Sequence, residues 1–214
     1  MVLKGWWTEE KVYGLVRQGI RIILLIAIFI EILNLNWLTL FVTVLAFVLT
    51  FVPEIIEKSF KVDLPIELEI LTILFIYASI FLGEVKGYYT RFWWWDTLLH
   101  TTFGIALGFV GFMILYVLYK GNKIKASPIL VAFFSFCFAL ALGALWEVFE
   151  FIMDQTLGLT MQKSGSDTMR DLIVDSIGAL ISAIAGFIYL KYGHVRVFDR
   201  ILRRFKADNK LFFR

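Results

Sequence analysis

Six stretches of the chain, 20–35, 37–52, 66–83, 97–119, 128–153 and 172–192, are nearly unbroken runs of apolar residues between short polar segments. Such runs lack both the alternation of a half-buried strand and the one-sided stripe of a surface helix. About 20 apolar residues cross roughly 30 Å of hydrocarbon at a helical rise of about 1.5 Å each. The pattern therefore predicts an all-α, polytopic membrane bundle of about six transmembrane helices. The first two runs are short and closely joined, so a hairpin that stops short of crossing is the alternative there. Pro53, Pro65 and Pro128 all fall at run ends, where a missing N–H costs no internal helix bond. Ser127 before Pro128 reads as an N-cap followed by an N1 proline. No small-residue cleavage site follows the first run, so it is expected to stay in the protein.

Composition agrees with the pattern. Hydrophobic residues make up 60% of 214, mean hydropathy is +0.80, and charged residues are 18%, against about 25% in an average soluble domain. The 22 Phe and 7 Trp fit side chains that meet lipid and its interface. The single cysteine, Cys137, excludes an intrachain disulfide and reads as a small apolar packing residue.

Basic residues set the expected orientation. With six crossings, one side of the membrane holds 17 of the 21 Lys and Arg, and the other holds only Lys86, Arg91, Lys163 and Arg170. The positive-inside rule then puts both termini in the cytoplasm. Residues 1–18 are expected to form an N-terminal interfacial segment, with Trp6 and Trp7 as anchors and Thr8, Glu9 and Glu10 as a capped, acidic first turn. In the 195–214 tail, Val197, Phe198, Ile201, Leu202 and Phe205 recur at helical spacing opposite Arg196, Arg200, Arg203 and Arg204. That pattern predicts a helix lying flat on an anionic leaflet. Nothing resembling a nucleic-acid module accompanies the basic face, so membrane lipid rather than nucleic acid is the expected partner. Trp93, Trp94 and Trp95 read as an aromatic belt at the outer surface.

The acidic residues carry the candidate chemistry. Asp96 and His100 are four apart; so are Asp167, Asp171 and Asp175, while Glu147, Glu150 and Asp154 are three and four apart. Each set therefore shares one helix face. The orientation drawn from Lys and Arg sends all three sets to the outer side. The same faces continue into small residues: Gly104 and Gly108, Gly143, and Gly178, Ser182 and Gly186. Small residues let helices approach closely in a membrane, so the acids should point into the bundle. His100 falls about 7 Å below the tryptophan belt and Glu147 about 10 Å below Asp154. Charges at such depth are costly and are commonly functional.

This excess of carboxylates over cations calls for protons or a bound cation. An oxygen-rich set with one imidazole suits Mg²⁺, Mn²⁺ or Ca²⁺, with Zn²⁺ or Fe²⁺ also feasible through His100. The expected metal ligands are Asp96, His100, Glu147, Glu150, Asp171 and Asp175. His194 reads as a solvated surface histidine, and Glu31 and Glu84 as interfacial residues. Glu67 and Glu69 sit at the inner start of the third run and favour the positive end of its helix dipole.

Three motifs, Asp96-x3-His100, Trp146-Glu147-x2-Glu150 and Asp167-x3-Asp171-x3-Asp175-x2-Gly178, resemble the YjdF-like group of bacterial and archaeal membrane proteins. That group is similar in turn to the VanZ-like family, named for a protein linked to glycopeptide-antibiotic resistance. The resemblance covers roughly residues 90–190. It departs from the VanZ pattern at Glu150, where a Gln is expected, and at Asp175, where Asn is usual. It implies a shared site more than any one reaction.

Three functions follow from these residues. The first is a divalent-metal-dependent hydrolase or transferase acting on lipid or lipid-linked phosphate at the outer leaflet. There His100 or Glu150 would be the general base, and Arg170 would clamp a phosphate from the buried side. The second is a proton- or cation-coupled transporter or channel. The third is a non-catalytic membrane component whose polar cluster is structural.

Overall fold

A computed structural model describes residues 9–159, 161–162, 164–193 and 195–213. The described residues are helical throughout apart from short connections, without strands. The chain divides into two compact units, Met1–Arg91 and Phe92–Arg214. Trp6, Trp7, Thr8, Lys163 and His194, on which parts of the sequence reading rest, lie outside the described residues.

In the first unit α1 runs from Glu9 to Leu33, α2 from Trp37 to Leu49 and α3 from Val52 to Phe60. α4, Ile66–Ile76, continues as a π-helix over Tyr77–Val85, and a short α5, Tyr88–Arg91, follows. The first apolar run is thus the later part of a longer helix. The second run does not stop near residue 52 either. α2 and α3 together form a 24-residue stretch, Trp37–Phe60, long and apolar enough to cross a membrane. Pro53 sits in the first turn of α3, where it breaks no helix hydrogen bond, so the stretch resumes instead of ending. Leu24, Ala46 and Ile73 are fully buried where α1, α2 and α4 meet. Arg21 is buried with them and is satisfied locally. Its Nε donates to Thr50 Oγ1 at 3.1 Å, and its Nη2 donates to Glu54 Oε1 at 2.6 Å.

The second unit contains α6, Trp95–Lys120; α7, Pro128–Leu157; α8, Gly165–Tyr192; and α9, Arg196–Asp208. Ser127 caps α7 as its sequence predicts, accepting from the Leu130 N–H at 3.3 Å with Pro128 directly behind it. The glycine stripes are packing surfaces. A Cβ on Gly104 would run into the carbonyl of Asp175, and one on Gly178 into the carbonyl of Thr101, so α6 and α8 touch backbone to backbone. α7 closes the bundle, its Ser135 hydroxyl donating to the Gly108 carbonyl at 2.6 Å.

Among the described residues five helical segments are long and apolar enough to cross a membrane: Trp37–Phe60, Ile66–Val85, Trp95–Lys120, Pro128–Leu157 and Gly165–Tyr192. The sequence pattern predicts about six. α1, whose body carries Arg17 and Arg21, is not among the five. Outward faces of the segments are apolar, with Phe133, Leu145 and Ile177 all exposed, as expected where lipid is the solvent. Cys137 lies on such an outward face rather than packing inside.

The tail departs from its sequence reading in one respect. α9 forms with the predicted two faces, but Phe198, Ile201, Leu202 and Phe205 are buried. The Phe198 ring lies 4.6 Å from that of Phe109 and 5.1 Å from that of Phe112. Aromatic surface on α6 and α8 thus takes the apolar face that was expected to lie on lipid, while Arg196, Arg200 and Arg203 stay exposed.

Candidate functional site

Six residues predicted to ligate metal occupy one end of the second unit. Asp96 lies in the first turn of α6 and His100 one turn further in. Asp171 and Asp175 lie in the early turns of α8, and Glu147 and Glu150 toward the C-terminal end of α7. The close α6–α8 contact at Gly104 and Gly178 brings His100 against Asp175. Gly143 leaves the space on α7 that the Asp175 carboxylate fills, since a Cβ there would come within 2.6 Å of Oδ2. His100, Glu147, Glu150, Asp171 and Asp175 are all buried.

His100 is the hub. Its Nδ1 lies 3.3 Å from both carboxylate oxygens of Asp175. Its Nε2 faces the other way, 3.6 Å from Asp96 Oδ1 and 3.8 Å from Glu147 Oε1. A carboxylate that holds one ring nitrogen fixes the orientation of the other, the usual support for a metal-binding histidine. Asp175 therefore lies behind the ring, on the side away from Asp96 and Glu147. One ligand atom from each of Asp96, His100 and Asp171 lies within 4.8 Å of the other two. Donors bound to one cation at about 2.0–2.6 Å fall within such a spread.

Part of the cluster is left without hydrogen bonds among the described residues. Among the described residues both oxygens of Glu147 are buried without a hydrogen-bond partner, although His100 Nε2 stands 3.8 Å from Oε1; Oδ1 of Asp175 is likewise buried, 3.3 Å from His100 Nδ1. An unpaired buried polar atom carries a desolvation cost of about 1–3 kcal/mol, more when charged. Five carboxylates and one imidazole thus share a largely buried cluster whose charge protons or a cation would balance. Glu150 is oriented by its neighbour, accepting from the Trp146 indole N–H at 2.9 Å.

Other predicted members play different parts. Asp154, near the end of α7, holds the loop that follows, its two oxygens accepting from the backbone N–H groups of Met161 and Gln162 at 2.8 and 2.9 Å. We expect Asp154→Asn to lower stability by about 1.5–3 kcal/mol and to leave cation binding intact, as thermal unfolding with and without added metal would show. Arg170 does not lie on the buried side. It is exposed, and its guanidinium donates to Thr97 Oγ1 at 3.0 Å, bridging the second turn of α8 and the first turn of α6.

Two contributors escaped the sequence reading. Thr97 anchors Arg170, and Gln162 donates from its side-chain amide to the Glu147 carbonyl at 3.1 Å. Thr97 adjoins a recognised motif residue, which could have flagged it. Gln162 lies in a connecting loop that no periodicity marks.

A family model described as predicted membrane protein (DUF2238) matches residues 15–192, which includes every residue of the site. No curated protein and no solved structure matches the chain.

Proposed function

The chain belongs to the DUF2238 family of predicted membrane proteins, and on that premise we propose that it is a divalent-cation-dependent hydrolase or transferase for lipid or lipid-linked phosphate. The carrying observation is the set of facing ligand atoms on Asp96, His100 and Asp171, with the buried Glu147 carboxylate 3.8 Å from His100 Nε2 beside them. Oxygen donors with one imidazole favour Mg²⁺, Mn²⁺ or Ca²⁺, with Zn²⁺ or Fe²⁺ accommodated through His100. With α1 counted as a sixth crossing, the bias of Lys and Arg favours both termini in the cytoplasm and a site that opens at the extracytoplasmic leaflet. Kinship with the YjdF-like and VanZ-like proteins is part of the same proposal, because their motif residues are the ones that converge here.

Each residue then has a role. Asp96, His100, Asp171 and Glu147 hold the cation, and Asp175 keeps the His100 ring in place. The cation would polarise a phosphoryl oxygen and acidify a bound water. Glu150, which accepts from Trp146 through one oxygen, would serve as the general base through the other. Arg170, exposed at the same end on Thr97, meets an arriving phosphate group before it enters.

Elemental analysis of purified protein should find about one divalent ion per chain, and Glu150→Gln should abolish phosphate release from lipid-linked substrates while leaving that metal in place. Protein free of metal after purification and after cation titration would sink the reading. Cation flux into liposomes that depends on Asp175 and His100, without hydrolysis, would transfer the site to a transporter.

A further inference from the structure

The first unit holds a cleft of about 490 Å³ that the carboxylate site does not explain. Its size falls within the roughly 300–1,000 Å³ typical of small-ligand sites. One wall is α1, where Ile23, Ile26 and Ile30 line the cleft up to Glu31. Ile23 and Glu31 lie about 12 Å apart along the helix axis. The facing wall is the π-helix, which contributes Tyr77, Phe81 and Leu82. Long π-helical runs are rare, and π segments occur frequently at functional sites because the wider turn displaces side chains.

Charge enters at one end only. Glu31 stands in the last turns of α1, Lys86 directly follows the π-helix, and Arg91 ends α5; all three line the cleft. None of them forms an ion pair among the described residues. The Lys86 ammonium lies over the Phe81 ring, 5.2 Å from its centre, at the junction of the apolar wall and the charged end.

We infer that this cleft is a specific site for one phospholipid with a phosphoethanolamine head. The acyl chain lies along the isoleucines of α1 and the Phe81 face, and the phosphate pairs with Lys86 and Arg91. The ammonium meets Glu31. An apolar channel of this length gives nothing to a free phosphate ion, which its hydration keeps in water. Two cations suit a phosphate. A carboxylate beside them weighs against a head that carries only negative charge and welcomes one that ends in an ammonium. The inference is independent of the metal reading, since every residue in it belongs to the first unit.

The test is native mass spectrometry of the full-length protein in detergent, titrated with phosphatidylethanolamine, phosphatidylglycerol or inorganic phosphate. We expect a single saturable phosphatidylethanolamine adduct, preferred about tenfold over phosphatidylglycerol, and no phosphate adduct. The double variant Lys86→Gln/Arg91→Gln should weaken that adduct about tenfold. Glu31→Gln should erase the preference by raising phosphatidylglycerol binding. Lys86 and Arg91 are exposed, and circular dichroism checks that each variant folds. Non-saturable adducts indifferent to the double variant would mean annular lipid only and would overturn the site. An unchanged lipid preference in Glu31→Gln, or binding of phosphate alone, would overturn the head group assignment.

Discussion

Raising a divalent cation to about a hundred times its Kd is expected to add about 2.7 kcal/mol to the unfolding free energy of the purified protein. Glu147→Gln and Asp171→Asn should each remove that gain. The sign follows from the two forms of the site. Without a cation, the Glu147 carboxylate is buried, with neither oxygen hydrogen-bonded among the described residues and His100 Nε2 3.8 Å away, and a neutral amide relieves the desolvation cost of a buried charge. Metal-free Glu147→Gln should therefore be at least as stable as the natural protein. With a cation the order reverses, because only the natural protein is stabilised. Differential scanning fluorimetry across a cation titration reads both states. A cluster that only fastened helices together would give curves that ignore the cation, and the proposal would then fail. Asp154→Asn is the control, since both Asp154 oxygens are engaged by the backbone of the following loop.

The second large effect is mechanical. Gly178→Leu should destabilise the second unit by about 1–3 kcal/mol or more, the usual cost of overpacking. It should also reduce cation affinity. A Cβ at Gly178 meets the Thr101 carbonyl, the Ile105 nitrogen at 2.9 Å and the Gly104 carbonyl carbon at 3.2 Å. All three are backbone atoms and cannot rotate aside, so α8 must move off α6. That movement carries Asp171 and Asp175 away from His100. Gly19→Ala supplies the contrast: its new Cβ meets nothing within 4 Å, and helix propensity would raise stability by up to about 1 kcal/mol. Chemical unfolding in detergent for the first effect and metal titration for the second would separate packing from ligation. Equal behaviour of the two variants would refute the close-approach argument.

Much of this arrangement was legible in the sequence, because membrane helices encode their geometry in two simple periods. Lipid demands apolar runs, which marked the crossings, and close helix contact demands small residues, which marked the inward faces. The stripe from Asp96 through His100 to Gly104 and that from Asp175 to Gly178 and Ser182 do face one another. What the periods could not show was competition for a surface. α9 has the composition of a helix that rests on lipid, yet aromatic rings on α6 and α8 take its apolar face, and nothing local to residues 196–208 signals them. Spacing also cannot tell a carboxylate aimed into the buried cluster from one aimed at a loop. Asp154 lies one turn beyond Glu150 on a shared face, and only the return of the chain at Met161 assigns it to the backbone. Pro53 was misleading for a related reason, because a proline in a helix's first turn reads locally like one at the end of a run.

The contact between α6 and α8 has one last consequence, which concerns reach. With the two backbones touching, aspartate is long enough to span the gap at 175, and the pocket on the far side is closed by Gly143. Exchanging Asp175 for Glu would preserve charge and chemistry but add a methylene where no room remains. At this seam the interchange of the two acidic residues ceases to be conservative: the protein measures side-chain length there as strictly as it measures charge.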